Sequence, residues 1–423
     1  MIDRTVQPEI NLDTNFDFIK PNEFKIRNSI PCYWIEDHYN ESYKIELVFN
    51  SGTRFQQKKL VSSFMNNLLL SGTNSMNSSQ ISERIDFYGG YIKIDTDKDH
   101  SIVSVFGLKK NIVKILSFVL HNINNCKFPM NEIENYRMIS SEKFKQNQEK
   151  VSHLARRKFT ESLFGKNTSY CQVPDFEDYA NVKESDIIDL FSSNIIYGLK
   201  GIFIVGAMDK NLMKELEGIP FYAYKDKKLD FSFEGKDGQT EKISKKGALQ
   251  SAIRLGNICM DKNHEDFIGF SILNTLFGGY FGSRLMSNIR EDKGYTYGIG
   301  SGIVPLQEKT YFFISTEVKA EVYEDTLKEI KKEIDILHQE KIDAGELFKV
   351  KNYLKGKFIQ GSDGPFAMME RFKSLWFHGL DYSYYDKYLQ TVDQITADDL
   401  QKIAQNHLQF DKMNKIIAGL PDN

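Results

Sequence analysis

The strongest constraint on this chain is an internal repeat. Residues 182–209 read VKESDIIDLFSSNIIYGLKGIFIVGAMD, and residues 395–422 read ITADDLQKIAQNHLQFDKMNKIIAGLPD. Four pairs align at one constant offset: Val182 with Ile395, Asp186 with Asp399, Gly206 with Gly419 and Asp209 with Asp422. Each copy predicts a capped amphipathic helix, a loop and a β-branched strand followed by Gly and an acid. A repeat this long indicates two similar domains, and any site is expected between them.

The duplication extends upstream of these two segments. The first half predicts a strand, two helices, a hairpin and a helix, at 45–52, 58–73, 78–90, 91–108 and 111–123. The second half predicts the same order at 249–258, 264–279, 283–294, 295–318 and 322–337. Long polar helices follow in each copy, near 131–164 and 344–373. Hairpins and grouped helices of this kind are typical of the α+β class rather than of a parallel sheet.

We therefore expect two homologous α+β domains, each a mostly antiparallel sheet with helices packed on it. Their predicted limits are 1–217 and 246–423. The segment 218–245 is rich in Lys, Asp and Gly and lacks helical periodicity, so it is interpreted as a linker. The two domains are expected to enclose a central polar chamber.

Composition excludes several classes of protein. The chain has 423 residues and a net charge of −3, with both signs interspersed, so no basic stripe suggests nucleic acid. The N-terminus has no apolar stretch of a secretory signal, and no window is apolar enough to span a membrane. The four cysteines form no C-x-x-C pair and are expected to be reduced. A cytoplasmic location fits these features best.

The segment FGGYFGSRLMSNIREDKGYTYG (277–298) is the richest in functional residue types. A Gly-rich turn opens a predicted helix, Arg290 lies near its end, and Tyr297 is expected just inside the following strand. A guanidinium and a phenol together could grip a peptide carbonyl or a developing oxyanion. A structural interpretation stays open, because the helix dipole favours Arg in a last turn and Tyr is common in strands.

A second segment carries a polar trio on one helix face. Ser63, Asn66 and Asn67 are spaced i, i+3 and i+4, the spacing at which an H-x-x-E-H motif presents two imidazoles to zinc. A hydroxyl and two amides are poor zinc ligands. On spacing alone, the trio could equally be a solvated helix face.

These motifs, together with the duplication, resemble the pitrilysin/insulinase-type zinc peptidases, the inverzincins, over nearly the whole chain. The family's zinc helix reads like HFLEHMLFKGT, and here the matching stretch is SFMNNLLLSGT (63–73). Ser63 therefore stands for the first His, Asn66 for the Glu and Asn67 for the second His. The resemblance implies that Glu142 is a remnant of the distal ligand and that no zinc is bound by this chain.

The same resemblance implies roles for residues that match the family pattern. Arg290 and Tyr297 keep the spacing of the family's Arg–Tyr pair, which contacts substrate opposite the zinc. Residues 91–95 match the edge strand that can add an extended peptide, so substrate contacts are expected at Ile92 and Ile94. Gly278 and Gly279 are also expected near substrate, where they let a turn approach another backbone; a helix C-cap is the structural alternative.

In short bacterial members of the family, the zinc motif and the Arg–Tyr pair can be divided between two subunits. This chain resembles the subunit that carries the pair, so zinc is expected in a homologous partner and no cofactor in this chain. The alternative is a catalytically inactive peptide-binding or assembly protein. A third possibility is an independent enzyme with an unrecognised metal site near Glu142. Homodimerisation of the isolated chain is compatible with each hypothesis.

Overall fold

The computed structural model describes residues 5–6, 17–27, 29–225 and 233–420. Asp422 of the repeat and residues 226–232 of the predicted linker lie outside these ranges, as does most of the N-terminal segment. None of the helices in the described ranges combines the length and apolarity needed to cross a bilayer.

Eleven strands in the described residues form two separate sheets. The strands are β1 (Asn22–Ile26), β2 (Ile30–Ile35), β3 (Ser42–Phe49), β4 (Tyr91–Thr96), β5 (Ser101–Leu108), β6 (Leu199–Val205), β7 (Thr240–Ser244), β8 (Gln250–Cys259), β9 (Ile299–Pro305), β10 (Thr310–Lys319) and β11 (Asn414–Leu420). The first sheet has the order β1-β2-β6-β3-β5-β4, and the second has the order β7-β11-β8-β10-β9. All pairings are antiparallel except β2 with β6 and β7 with β11.

In the described residues, eight α-helices lie in the first half and six in the second. In the first half they are α1 (Val61–Asn67), α2 (Ser78–Phe87), α3 (Ile112–Asn124), α4 (Met130–Gln148), α5 (Val151–Phe164), α6 (Asp178–Asn181), α7 (Glu184–Phe191) and α8 (Lys210–Glu217). In the second half they are α9 (Phe267–Asn274), α10 (Tyr323–Gln339), α11 (Ala344–Gln360), α12 (Gly364–Trp376), α13 (Ser383–Gln394) and α14 (Ala397–His407). Three π-helical segments, Ser192–Ile196, Thr275–Gly279 and Met286–Asp292, extend or replace α-helical turns.

The repeated pattern of the sequence gives two similar cores. On β3, Ile45 and Leu47 face the first core, which also contains buried side chains of α1, α2, α3 and α7. On β8, Ile253 and Leu255 face the second core, with buried side chains of α9, α10 and α14. Alternate residues of a strand point to opposite faces of its sheet. The other face of each sheet is therefore left to be covered by something else.

Each of those remaining faces is covered by a helix of the other half. Helix α5 of the first half packs on β8 and β11, where Phe159 and Leu163 are buried against Ile416. Helix α12 of the second half packs on β6, with Met368 and Met369 buried in a cluster with residues of the first sheet. Burying a large apolar side chain contributes about 1.5–3 kcal/mol. Both faces of both sheets are thus covered, and the two halves are packed together.

The aligned glycines of the repeat have a structural cause. Gly206 and Gly419 lie at the ends of β6 and β11 with positive φ angles of 140° and 94°. A Cβ at Gly206 would lie 2.3 Å from the Tyr43 ring, and one at Gly419 would lie 2.4 Å from the carbonyl oxygen of Gln250. Both sites therefore require a residue that has no side chain.

The structure confirms the α+β class and the tandem arrangement predicted from the sequence. The exact domain limits stay a prediction; within the segment 218–245, residues 240–244 form β7 and join the second sheet. Cys32, Cys126, Cys171 and Cys259 are all free thiols, as expected. Helix α1 ends at Asn67, earlier than the predicted helix at 58–73, because residues after it form turns leading to α2.

Candidate functional site

Helix α1 carries the polar trio that replaces the expected zinc ligands. Its apolar residues Phe64 and Met65 are fully buried in the first core. Of the trio, Asn66 is buried at 1% exposure, Ser63 is half-buried and Asn67 is exposed. The trio therefore does not form a uniformly solvated face, because its middle residue points into the protein.

Tyr136 of α4 fills the space in front of Ser63 and Asn67. Its hydroxyl lies 2.8 Å from the Ser63 hydroxyl, and Asn67 Nδ2 donates a hydrogen bond of 3.0 Å to it. Burial raises the pKa of the Tyr136 phenol above its usual value, so this group is neutral at physiological pH. The ring packs edge-on against Phe64 at 4.8 Å between centroids. Ser63 and Asn67 are therefore engaged in a local hydrogen-bond network with Tyr136.

Asn66 is turned away from this network. Its Nδ2 donates to the Ser62 carbonyl oxygen at 2.8 Å and to the Ser62 hydroxyl at 3.2 Å. Its Oδ1 is buried and has no hydrogen-bond partner among the described residues. An amide in this setting cannot replace the carboxylate of a general base, because it does not accept a proton near neutral pH.

The residues present do not fit a zinc ion. Zinc in proteins is held by imidazole, thiolate or carboxylate groups, whereas α1 offers a hydroxyl and two amides. The expected remnant ligand, Glu142, is exposed, and its carboxylate lies 2.6 Å from Lys145 Nζ. Across the residues that the structure describes, no three His, Cys, Asp or Glu side chains form a group that could hold a metal. Glu142 therefore belongs to no such group in those ranges.

Arg290 lies in the π-helical segment Met286–Asp292, where the sequence predicts an ordinary helix. Its guanidinium is stacked on the ring of Phe281, 4.5 Å from the centroid. Within the described chain, it makes no side-chain hydrogen bond or ion pair. Phe281 is itself 63% exposed. The five donors of the guanidinium thus remain available to a ligand.

Tyr297 lies in a loop and not inside a strand, since β9 begins only at Ile299. The loop is held by Thr296, whose hydroxyl donates to the Glu317 carbonyl oxygen at 2.7 Å. Gly294, with φ +65°, makes the turn that ends the helical segment. As a result, the Tyr297 side chain is 94% exposed. The expectation of a strand position was wrong because the turn continues past Gly294.

The two glycines predicted near substrate differ in their surroundings. A Cβ at Gly278 would lie 2.8 Å from the backbone nitrogen of Ser301, so this residue lets the π-helical turn lie against β9. A Cβ at Gly279 would have 3.1 Å to the Asn274 carbonyl oxygen, which is tight but less severe. Gly278 thus has the close backbone approach expected of it.

Strand β4 lies at the edge of the first sheet, because it pairs with β5 and is last in the strand order. Ile92 and Ile94 are half-buried and pack against the first core. Tyr91 on the opposite face is 61% exposed. The side chains of Ile92 and Ile94 therefore support the sheet, and a peptide added here would contact the backbone of β4.

Tyr136 is the functional-site residue that sequence reasoning missed. It lies on the long polar helix predicted near 131–164, but nothing in its local sequence indicates a contact with α1. Only the packing of α4 across α1 brings it to Ser63. The one sequence signal is that Ser63 and Asn67, which stand for the two His of the family motif, are both polar and need a hydrogen-bond partner.

Comparison with known proteins gives matches along most of the chain. The family described as Insulinase (Peptidase family M16) matches residues 33–171, and the family described as Peptidase M16 inactive domain matches residues 202–354. The first segment lies in the first half of the duplication, and the second begins in β6 of the first half and continues through most of the second half up to α11.

Individual relatives are distant but cover most of the chain. A Bacillus subtilis (strain 168) protein, "Uncharacterized zinc protease YmxG", is 21% identical over 78% of this chain and 81% of its own length. A Helicobacter pylori protein, "Non-peptidase homolog YmxG", is 19% identical over 92% of each chain. The crystal structure of a peptidase M16 inactive domain from Pseudomonas fluorescens matches with a TM-score of 0.85 and 20% identity, over 95% of this chain and 98% of that one.

Proposed function

Because this chain belongs to the M16 family of insulinase-like peptidases, we propose that it is the non-zinc subunit of a heteromeric metallopeptidase. In this role, a homologous partner supplies the H-x-x-E-H helix, the metal and the general base. This chain supplies part of the chamber wall and a clamp for the scissile carbonyl. Its substrates are extended peptides.

The residues of α1 support a heteromeric enzyme in which another subunit binds the zinc. The three motif positions carry Ser63, Asn66 and Asn67, and Tyr136 occupies the space in front of two of them. Hydrolysis of a peptide by this family needs a metal-activated water, which those donors cannot provide. Any peptidase activity that involves this chain must therefore draw its metal from another subunit.

The observation that carries the proposal is the availability of Arg290 and Tyr297. The Arg290 guanidinium is stacked on the exposed ring of Phe281, and Tyr297 is 94% exposed. Neither side chain makes a hydrogen bond or ion pair within the described residues, so neither is needed to hold the fold together. A charged donor and a phenol left open in this way can act on a carbonyl oxygen that a partner polarises.

The edge strand β4 supplies a second means of holding substrate. Its unpaired edge can accept an extended peptide through main-chain hydrogen bonds. The exposed side chains of Lys93 and Asp95, whose charged atoms are 2.8 Å apart, protect this edge from indiscriminate pairing. Binding through the backbone would tolerate many peptide sequences.

The test is purification of the tagged chain from its native cells under non-denaturing conditions. A co-purifying protein of similar size that contains H-x-x-E-H is expected. Peptidase activity should appear on mixing the two purified chains and should disappear with a chelator. A matched control replaces this chain by its Arg290→Ala, Tyr297→Phe variant. If the mixture is no more active than the partner alone, the proposal is wrong.

A second candidate function is peptide binding or assembly without cleavage. It is favoured by the name of the Helicobacter pylori relative, which describes that protein as a non-peptidase homologue. In this case peptides bind to the chain, but no zinc-bearing partner co-purifies and no mixture hydrolyses them. The cytoplasmic location stays a prediction from the sequence under either function.

A further inference from the structure

A cavity of about 530 Å³ lies between the first half and the second sheet. Its wall is formed by α4 and α5 on one side and by Arg254 of β8 and Tyr311 of β10 on the other. Tyr136 also lines it, so the cavity reaches the residue that contacts the degenerate zinc helix. Volumes of this order are typical of sites for small ligands or short peptide segments.

The charge of this cavity has one sign. Five cationic side chains line it: Lys98, Lys143, Arg156, Arg157 and Arg254. No Asp or Glu is among its described lining residues. The chain as a whole carries a net charge of −3, so this concentration of positive charge does not follow from the composition. A cleft lined by charges of one sign attracts ligands of the opposite sign.

Three of these cations have no hydrogen-bond or ion-pair partner among the described residues. The Arg157 guanidinium lies 2.6 Å from the Asp175 carboxylate, and Lys98 donates to the Tyr170 carbonyl oxygen. The side chains of Lys143 and Arg156 make no hydrogen bond or ion pair with a described residue. Arg254 Nε is buried and has no hydrogen-bond partner there. Lys143 and Arg156 are exposed, so water can satisfy them, whereas a buried donor such as Arg254 Nε is normally paired. An acceptor is therefore missing at Arg254.

Arg254 is held rigidly in the cavity wall. Its guanidinium stacks between two aromatic rings, 4.6 Å from the centroid of Phe313 and 5.3 Å from that of Phe159. Burial, with nearby Arg156 as a lesser cause, lowers the pKa of Arg254. A guanidinium fixed by stacking loses little further freedom when it binds a carboxylate in a bidentate manner.

The first sheet provides an internal comparison. Glu46 of β3 lies opposite Ser104 on the neighbouring strand, and Arg254 of β8 lies opposite Ser315 in the equivalent place. Glu46 is buried, and its carboxylate accepts a hydrogen bond of 2.7 Å from Lys373 of α12. The charge on the first sheet is therefore neutralised by the helix that covers it. On the second sheet, the residues of α5 that line the cavity include Arg156 and Arg157 and no carboxylate.

We propose that this cavity binds an acidic segment of a peptide through Arg254, Arg156 and Lys143. One carboxylate supplies the acceptor that Arg254 Nε lacks, and others pair with the exposed Arg156 and Lys143. The aromatic rings of the wall pack against the rest of the segment. Because Tyr136 lines the cavity, the bound segment lies next to the helix that carries the zinc motif in the family. The inference names a substrate class for the peptide-binding role proposed above and rests on that role.

The test measures fluorescence anisotropy of two labelled peptides with the purified full chain. One peptide is rich in glutamate, and the other replaces each glutamate by glutamine. The glutamate peptide is expected to bind at least about tenfold more tightly, and its affinity should fall as salt is added. Arg156→Met and Lys143→Met should each weaken its binding by about tenfold, with little risk to folding because neither side chain has a partner.

Lys328→Met removes the same charge from an exposed helix position and should leave peptide binding unchanged. Equal affinity for the two peptides, or full affinity in both cavity variants, would overturn the proposal. Binding of tripolyphosphate that depends on Arg156, without binding of the glutamate peptide, would overturn the peptide assignment. The assay needs no partner subunit and no cleavage, so its failure is distinct from failure of the heteromeric peptidase.

Discussion

The hydroxyl of Tyr136 lies 2.8 Å from the hydroxyl of Ser63, at the residue that replaces the first His of the family's zinc motif. Asn67, which replaces the second His, donates to the same phenol. A group from α4 thus bonds to both altered positions, and the loss of the ligands is accompanied by a new set of hydrogen bonds. Restoring the ligands alone would leave this phenol in place.

Zinc binding should therefore require a change at Tyr136 as well as in α1. The variant Ser63→His, Asn66→Glu, Asn67→His is expected to bind zinc weakly, because the phenol occupies the space between the new imidazoles. Adding Tyr136→Ala should raise the affinity by at least about tenfold and allow Glu142 to approach. Zinc content after dialysis measures the effect. Tyr136→Ala alone should hold none, and one tightly held equivalent in the triple variant would contradict the role given to Tyr136.

Loss of the clamp should impair the reconstituted complex and leave the fold intact. Arg290→Ala and Tyr297→Phe are each expected to lower partner-dependent turnover by roughly 10²–10³, the effect of removing one oxyanion donor. The unfolding temperature should change little, because Tyr297 is exposed and the Arg290 guanidinium makes no hydrogen bond or ion pair within the described residues. Tyr39→Phe, at another highly exposed tyrosine, is the matched control and should retain full turnover.

The buried Lys373–Glu46 pair should contribute to the packing of α12 on the first sheet. Lys373→Met leaves the Glu46 carboxylate buried with less compensation, so the free energy of unfolding should fall by about 3 kcal/mol. Denaturant titration measures this loss. The double variant with Glu46→Gln should recover part of it, because the uncompensated charge is then removed. If the double variant is as unstable as the sum of the single variants, the two side chains are not coupled.

Acidification should destabilise the protein through His378, at the end of α12. Burial, together with Lys262 and Lys200, lowers the pKa of His378 from 6.5 to about 4. Between these values the unfolded chain binds a proton that the folded chain does not. The contribution to stability is therefore complete above pH 6.5 and is lost as the pH falls towards 4, by about 1–3 kcal/mol.

Thermal unfolding at a series of pH values measures this dependence. His378→Gln should flatten the decline between pH 6.5 and 4, whereas His38→Gln, at an exposed residue, should leave it unchanged. Part of the decline will persist in the first variant, because burial also lowers the pKa of His100 well below 6.5. An unchanged profile in His378→Gln would exclude this histidine as a source of acid sensitivity.

The order of elements could be predicted because each copy repeats the same apolar pattern. Gly206 and Gly419, which align in the sequence, both have positive φ angles at the ends of β6 and β11. The covering of each sheet by a helix of the other half could not be predicted. Helices α5 and α12 are amphipathic in sequence, but periodicity identifies only an apolar face and does not identify the surface that it contacts.

The candidate site was predictable where its residues are close in sequence. The trio on α1 follows from helical spacing, and Arg290 and Tyr297 lie on one short segment. Tyr136, Arg254 and the cavity between them come from elements far apart in the chain. These residues are brought together by tertiary packing, which cannot be predicted from the local sequence around each of them. The π-helical form of the segment around Arg290 was also missed, since its composition is that of an ordinary helix.

The reciprocal placement of α5 and α12 has a consequence for how the chain comes apart. Neither half can bury both faces of its own sheet, because one face of each sheet is covered by a helix of the other half. Separation of the two halves would expose apolar surface on both of them at the same time. Heat or denaturant should then melt the protein in a single cooperative step, and two separately made fragments should become stable only when they meet.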